Sequence, residues 1–209
     1  MPRPRVHDPD AVLDAVEALV ARAGPQAVSI RAISAAVGVS NGALYHTFTS
    51  RAGLTGQAWL RAGRRFLAVQ NALVDRALTG ADASDAVAAA ADAPVVFAEQ
   101  NPAAAALLWS VRRDEVLADD PPEDVAAALR DLDRLLIALM VRLAVAMWDR
   151  RDVAAVDVIT ACIVDLPTAL VLQRDRLRNA MAREHLHAAV RAVLDVGPPP
   201  EHRRQGRRP

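Results

Sequence analysis

The chain predicts an all-α fold, a three-helix head containing a helix-turn-helix followed by a body of roughly six helices. Three observations support this. Of the 209 residues, 53% are apolar but only 3% aromatic, so the core is built mainly from Ala, Leu and Val, which suits packed helices better than stacked sheets. Apolar residues recur at helical spacing between N-cap residues and Gly or Pro breakers. Neither internal repeats nor strand-like alternation interrupt that pattern.

The first helix opens at Asp8-Pro9, an N-cap followed by a proline at the first helical position, and Gly24 closes it. Along it Val12, Leu13, Val16, Leu19 and Val20 share one face. Ser29 caps a second helix with Ile30, Ile33 and Val37 inward, and Gly38 ends it. Ser40 caps a third, very short helix carrying Leu44 and leading to Phe48. Ser50 caps a fourth that meets no breaker until Thr79-Gly80. Further helices are expected at 82–100, 102–116, 121–150, 152–177 and 179–194, with Asn101-Pro102 and Asp120-Pro121 repeating the cap-then-proline signal. Pro167 falls inside a helical pattern and should kink or split it near Ile163. After Val196 the chain turns to Gly197, three prolines and an arginine-rich end that cannot bury apolar surface, so a disordered basic tail is expected over 197–209.

The net charge is zero, yet its distribution is uneven. No Asp or Glu occurs from Ala18 to Val74, while Arg22, Arg31, Arg51, Arg61, Arg64 and Arg65 do. The stretch from Asp75 to Asp165 holds 17 of the 25 acidic residues. A basic head on an acidic body is the asymmetry expected when only the head meets phosphate. The N-terminus lacks the apolar core of a signal peptide, and the longest uninterrupted apolar run, 135–141, is too short to span a bilayer. A cytoplasmic protein without a membrane partner is therefore expected. The single cysteine, Cys162, has apolar surroundings and reads as an inert core thiol.

Within residues 29–48 a helix of about eight residues stops at Gly38, which can take the positive φ of a tight turn. Val39 fills the crease and Ser40 restarts the chain as helix, which forces the two helices to cross steeply. Ile33, Val37, Val39, Leu44 and Phe48 would hold that angle, together with Leu13, Val16 and Val20. The third helix then exposes Asn41, Gly42, Ala43, Tyr45 and His46, a surface thin enough at its tip to enter a major groove. Asn41 can read a base edge, preferably adenine, and the Ala43 methyl can touch a thymine methyl. Tyr45, His46 and Thr47 offer donors at phosphate height, and Ser40 brings the helix N-terminus near the DNA backbone. Arg51, in the first turn of the next helix, opposes that helix's dipole, which points to an anionic partner.

The run from Ser29 to Phe48, with Gly38-Val39-Ser40 at the turn and Leu44-Tyr45-His46-Thr47-Phe48 as its most distinctive block, resembles the DNA-binding head of the tetracycline-repressor-type (TetR/AcrR) regulators. The likeness covers about residues 9–60. It implies a head of residues 1–51 and a ligand-binding and dimerisation body of 52–196. It also implies backbone and groove contacts from Ser29 and Arg31, base contacts from Asn41, Gly42 and Ala43, and phosphate contacts from Tyr45, His46 and Arg51. The family often has a long donor at the position of Asn41 and a hydroxyl at that of Ala43. Their absence moves specificity here onto Asn41, DNA shape and the spacing of two heads. Arg3 and Arg5 could reach DNA as an arm.

In the body the resemblance is one of layout. Two heads about 34–36 Å apart would read a near-palindromic double-stranded operator, so a homodimer is expected. The stripe of Leu186, Ala189, Val190, Val193 and Leu194 on the final helix, with Val156, Ile159, Ile163 and Leu170 on the one before, is the candidate contact, intramolecular core being the alternative. The family commonly binds a small effector. Phe97, Leu107, Leu108, Trp109, Met140, Leu143, Met147 and Trp148 would line a mostly apolar pocket for it, or simply pack the core. Enzymatic motifs are missing: no HExxH, P-loop or nucleophile elbow occurs, and His185 and His187 are two apart and diverge on a helix. No catalytic residue, cofactor or metal is expected. The resulting reading is a sequence-specific regulator, a ligand-responsive repressor by family default. The alternative is a helical protein-interaction module that has lost DNA binding.

Overall fold

The computed structural model describes residues 8–173 and 176–200, and these are organised as helices and turns. Arg3 and Arg5 and the tail arginines from Arg203 onward lie outside the described residues. The chain divides into two compact units, Met1–Ala72 with Ala93–Ile137, and Leu73–Asp92 with Ala138–Pro209.

In the first unit, α1 (Pro9–Ala23) begins where Asp8 accepts from the Asp10 amide at 3.0 Å, and it ends at Gly24, with φ +78°. A single 3-10 turn, Pro25–Ala27, leads to α2 (Ile30–Val37). Gly38 adopts φ +69° and ψ 24°, the left-handed conformation that the turn demands. Next come α3 (Asn41–Phe48) and α4 (Arg51–Ala77). Val12, Leu13, Val16, Val20, Ile33, Val39, Leu44 and Phe48 are all buried, as their spacing predicts, and Val37 packs against them half-buried. Glycines let α4 approach its neighbours closely. A Cβ on Gly53 would stand 2.1 Å from the Phe48 carbonyl oxygen, and one on Gly63 2.6 Å from Leu132.

The remainder of this unit departs from expectation in two places. The helix expected over 102–116 is broken into α6 (Pro102–Ser110) and α7 (Arg113–Ala118), following α5 (Ala83–Gln100). Val111 between them is extended (φ −123°, ψ 116°), and its carbonyl accepts the Trp59 indole N–H at 2.9 Å. A tertiary hydrogen bond and burial of Val111 hold the break, and neither is encoded locally. The long helix α8 (Glu123–Trp148) starts two residues later than Asp120-Pro121 suggests. Asp120 is left-handed at φ +54°, and the amides of Val125 and Ala126 bond to the Pro122 carbonyl, making Pro122 the point of entry. A second proline restrains the first to extended backbone.

In the second unit, α9 (Val153–Thr160) is capped by Asp152 and does not split at Pro167. It continues through π-helical turns at Ala161–Asp165 and Thr168–Leu172, in which the Leu166 amide reaches the Ala161 carbonyl and the Gln173 amide the Thr168 carbonyl. Widening the ladder by one residue accommodates the amide proton that proline lacks. The stretch Val153–Leu172 is long and apolar enough to cross a membrane by length and composition, although Ala155, Ile159, Cys162, Ile163 and Val171 belong to the core. Desolvation pushes the Cys162 thiol up to about 11. The last helix, α10 (Ala180–Val196), presents Arg183, His187 and Arg191 one turn apart. Arg183 and His187 meet the buried Asp92 of α5, and Arg191 lies 3.8 Å from Asp85. The expected tail is anchored at its start, because Arg150 donates to the Pro199 carbonyl at 2.7 Å.

Candidate nucleic-acid interface

The turn between α2 and α3 is fixed from both sides. The Ser29 hydroxyl accepts from the Ala32 amide at 3.1 Å and the Ser40 hydroxyl from the Ala43 amide at 3.2 Å, so each caps the helix it precedes. Ser34 donates to the Val39 carbonyl at 2.5 Å and pins the turn, a role no local motif announces. Leu44 and Phe48 are 1% exposed and lock α3 onto the head core. On the opposite side Gly42 and His46, four residues apart, are both exposed, flanked by exposed Asn41 and Tyr45. Tyr45 is 53% exposed, an apolar ring in water with no internal reason to be there.

Three of the expected contacts have internal commitments. Ala43 is half-buried against the head core, so its methyl is only partly available to a thymine. Thr47 donates its hydroxyl to the Ala43 carbonyl at 3.1 Å, the usual back-bond of a helical threonine, rather than outward. Arg51 donates Nε–H to the Val28 carbonyl at 2.9 Å. That bond gives this arginine an internal partner despite the helix dipole, and the residue remains exposed. At the α3–α4 junction Thr49 has φ +65° and the Ser50 amide reaches the Phe48 carbonyl at 2.7 Å, a tight turn that residues with a Cβ rarely adopt. Arg31 is exposed on α2.

The charge of the head is also redistributed. Arg61 donates to Asp10, Asp14 and Glu17 of α1, at 3.1, 2.6 and 2.9 Å, and Arg65 reaches Glu17 at 2.5 Å. Burial works against the Arg61 charge, but its bonds to Glu17, Asp14 and Asp10 outweigh that and raise its pKa. Two of the six arginines in the acid-free stretch therefore face carboxylates and not phosphate. Asp10, Asp14 and Glu17 recur at helical spacing on α1, which was the sequence signal for this pairing.

The family model of bacterial regulatory proteins, tetR family, matches residues 12–58, the segment that contains α2, the turn, α3 and Arg51. Over that segment the chain is similar to the tetR family. No curated protein sequence matches the chain. Solved structures extend the likeness to the whole tetR-type architecture. A protein with unknown function from Rhodococcus sp. RHA1 superposes with a TM-score of 0.68 at 21% identity, over 95% of this chain and 100% of that one. A bacterial regulatory protein in the tetR family from Rhodococcus RHA1 gives 0.64 at 20% identity, over 92% and 98%. A transcriptional regulator from Rhodococcus sp. Rha1 gives 0.63 at 19% identity, over 91% and 95%. The described fold is thus the one these structures share, and its first helices match the tetR-family model.

The body residues singled out from the sequence fall in both units. Phe97, Leu107, Leu108 and Trp109 belong to the first unit, Met140, Leu143, Met147 and Trp148 to the second. Phe97 and Trp109 pack edge-to-face with Phe66, with ring centroids 5.6 and 5.5 Å from it, which is core packing. The partner-facing stripe needs correction. Leu186, Val190 and Leu194 on α10, and Ile159 and Ile163 on the preceding helix, are buried within the single chain, because those faces cover each other's apolar surface. Val156, Leu170, Ala189 and Val193 remain half-exposed.

Proposed function

We propose that the protein is a cytoplasmic, ligand-responsive repressor that binds a near-palindromic double-stranded operator as a homodimer. The observation that carries the reading is the outer face of α3, where Asn41, Gly42, Tyr45 and His46 stand exposed over a locked Leu44–Phe48 base. In this reading residues 1–51 are the DNA-binding head, 52–196 the regulatory body and 197–209 a basic tail. Asn41 and Gly42, with the accessible edge of Ala43, face bases in the major groove. Tyr45, His46 and Arg51 hold phosphates, and Ser29, Arg31 and Ser40 flank them from α2 and the α3 N-terminus.

Dimerisation is supported by the apolar helix Val153–Leu172, of whose most apolar stretch only a third is buried in the single chain. A second copy would cover the remainder through Val156, Leu170, Ala189 and Val193. The effector is a small apolar molecule bound in the body, with Trp148 the first residue to test. A coupling of roughly 1–3 kcal/mol between effector and DNA would suffice for regulation.

Selection of bound sequences from a random DNA pool tests the DNA and symmetry parts together. Enrichment of paired, inverted half-sites is expected. Enrichment of nothing leaves an interaction module without DNA binding, and single half-sites exclude the dimeric reading. Sedimentation at micromolar concentration should give a dimer, and Leu170→Asp a monomer.

A further inference from the structure

One residue of α2 holds the turn to α3 from both of its polar ends. The Ser34 carbonyl accepts from the Gly38 amide at 2.9 Å, and the Ser34 hydroxyl donates to the Val39 carbonyl at 2.5 Å. The first bond is the ordinary closure of a helix by a left-handed residue. The second is not ordinary. A hydroxyl on a helix usually bonds back to a carbonyl one turn earlier, as those of Thr47, Ser110 and Thr160 do. Ser34 reaches forward instead, five residues on, to a carbonyl on the far side of the turn. Gly38 adds little restraint of its own, because a residue without a Cβ moves freely in φ and ψ.

The first turn of α3 depends on this bond more than the rest of the helix does. Leu44 and Phe48, each 1% exposed, anchor its middle and its end in the head core. Asn41 and Gly42 are exposed and Ala43 is only half-buried, so burial does little to hold the start. Val39 is buried, which fixes its side chain but not the rotation of its carbonyl. That rotation carries Ser40 and Asn41 with it, and the Ser34 hydroxyl is what stops it. We propose that Ser34 is a positioning residue for sequence readout, acting through the Val39 carbonyl to place Asn41 and Gly42 on base edges. The inference rests on the reading of α3 as the groove-facing helix. A base-edge hydrogen bond needs donor and acceptor in line and within about 2.7–3.2 Å, whereas attraction to phosphate falls off only slowly with distance. Loss of the Ser34 hydroxyl therefore costs discrimination between sequences and spares affinity for DNA in general.

Ser34→Val and Ser34→Thr are the paired test, since the two side chains have nearly the same shape and differ in the hydroxyl. Gel shifts with the full chain compare the operator obtained by selection with the same DNA carrying altered half-sites. Ser34→Val should lower the ratio of the two affinities roughly fivefold or more, with binding to the altered DNA within about twofold of the parent. Ser34→Thr should keep the parent ratio, and Ser34→Ala, which adds no bulk, should behave as Ser34→Val. A merely structural role would weaken both DNAs together. Amide hydrogen exchange without DNA reads the same bond directly: the Ala43 and Leu44 amides should exchange faster in Ser34→Val than in Ser34→Thr, with those of Val16 and Val20 in α1 unchanged. An unchanged affinity ratio, an equal loss in Ser34→Thr, or unchanged exchange at Ala43 and Leu44 would each overturn the proposal. A parent chain without operator preference overturns the reading of the head and this inference with it. A parent that discriminates beside a Ser34→Val chain that discriminates equally overturns this inference alone.

Discussion

Arg61 of α4 donates to the buried carboxylate of Glu17 in α1 at 2.9 Å, and Arg65, one turn further along α4, reaches the same carboxylate at 2.5 Å. Glu17 keeps only 5% of its side chain in water, so this acid is held in the head by two guanidinium groups on the following long helix. The orientation of the first helix relative to α4 is therefore electrostatic as well as apolar.

Replacing Glu17 with Gln should lower stability by about 2 kcal/mol. This is less than the ~3–5 kcal/mol of a fully buried pair that loses one partner, because the Arg65 side chain is 38% exposed and screened by solvent. Urea unfolding of the variant measures it. A midpoint equal to that of the parent chain would show the pairing to be energetically idle.

Tyr45→Ala should weaken operator binding roughly 2- to 10-fold, the equivalent of one hydrogen bond, without moving the unfolding midpoint, since the ring packs on little. Affinity should also fall steeply with salt, by a log–log slope of about −0.9 per phosphate contact. Gel-shift titrations at several salt concentrations read both quantities. A flat salt response would count against the phosphate contacts.

Gly53→Ala should destabilise the protein by roughly 1–3 kcal/mol, even though alanine is the better helix former by about 1 kcal/mol. The added methyl would stand 2.1 Å from the Phe48 carbonyl oxygen, a backbone atom that cannot swing aside. Thermal unfolding distinguishes the outcomes, and a gain in stability would mean that the α3–α4 junction relaxes freely.

Asp152 accepts two bonds from Arg150, at 2.7 and 2.8 Å, and its carboxyl is lowered to about 2, chiefly by that pairing. A carboxylate with a folded-state pKa below its unfolded value of about 3.9 stabilises the fold above that value. The contribution is lost as pH falls toward 2. Carboxyl titration followed by NMR should place Asp152 near 2, and Arg150→Gln should return it to the ordinary carboxylate range. An unshifted value in the parent chain would remove the Arg150 clamp as its cause.

Much of the head was legible because its signals are short-range. The caps at Asp8, Ser29, Ser40 and Ser50 and the left-handed Gly38 are satisfied within a few residues of the chain, so local sequence specifies them. The exposure of Asn41, Gly42, Tyr45 and His46 follows from the burial of Leu44 and Phe48 by helical geometry alone. The roles of individual donors were less legible. A serine or threonine hydroxyl reads the same in sequence whether it bonds DNA or, like Ser34 and Thr47, a carbonyl of its own chain. Arginine is ambiguous for the same reason, and only the acidic stripe on α1 distinguishes Arg61 and Arg65 from cations that await phosphate.

Periodicity, caps and breakers by themselves determined an all-α chain, the helix-turn-helix and the residues on the outer face of α3, since each depends on neighbours within about one helical turn. Tertiary structure decided the rest. It broke the helix at Val111 with an indole from α4, carried the chain past Pro167 through π-helical turns without a split, and buried Leu186, Val190 and Leu194 that a bare stripe would offer to a partner. Those outcomes depend on what packs against a residue from far along the chain, and an apolar stripe records only that it will be covered.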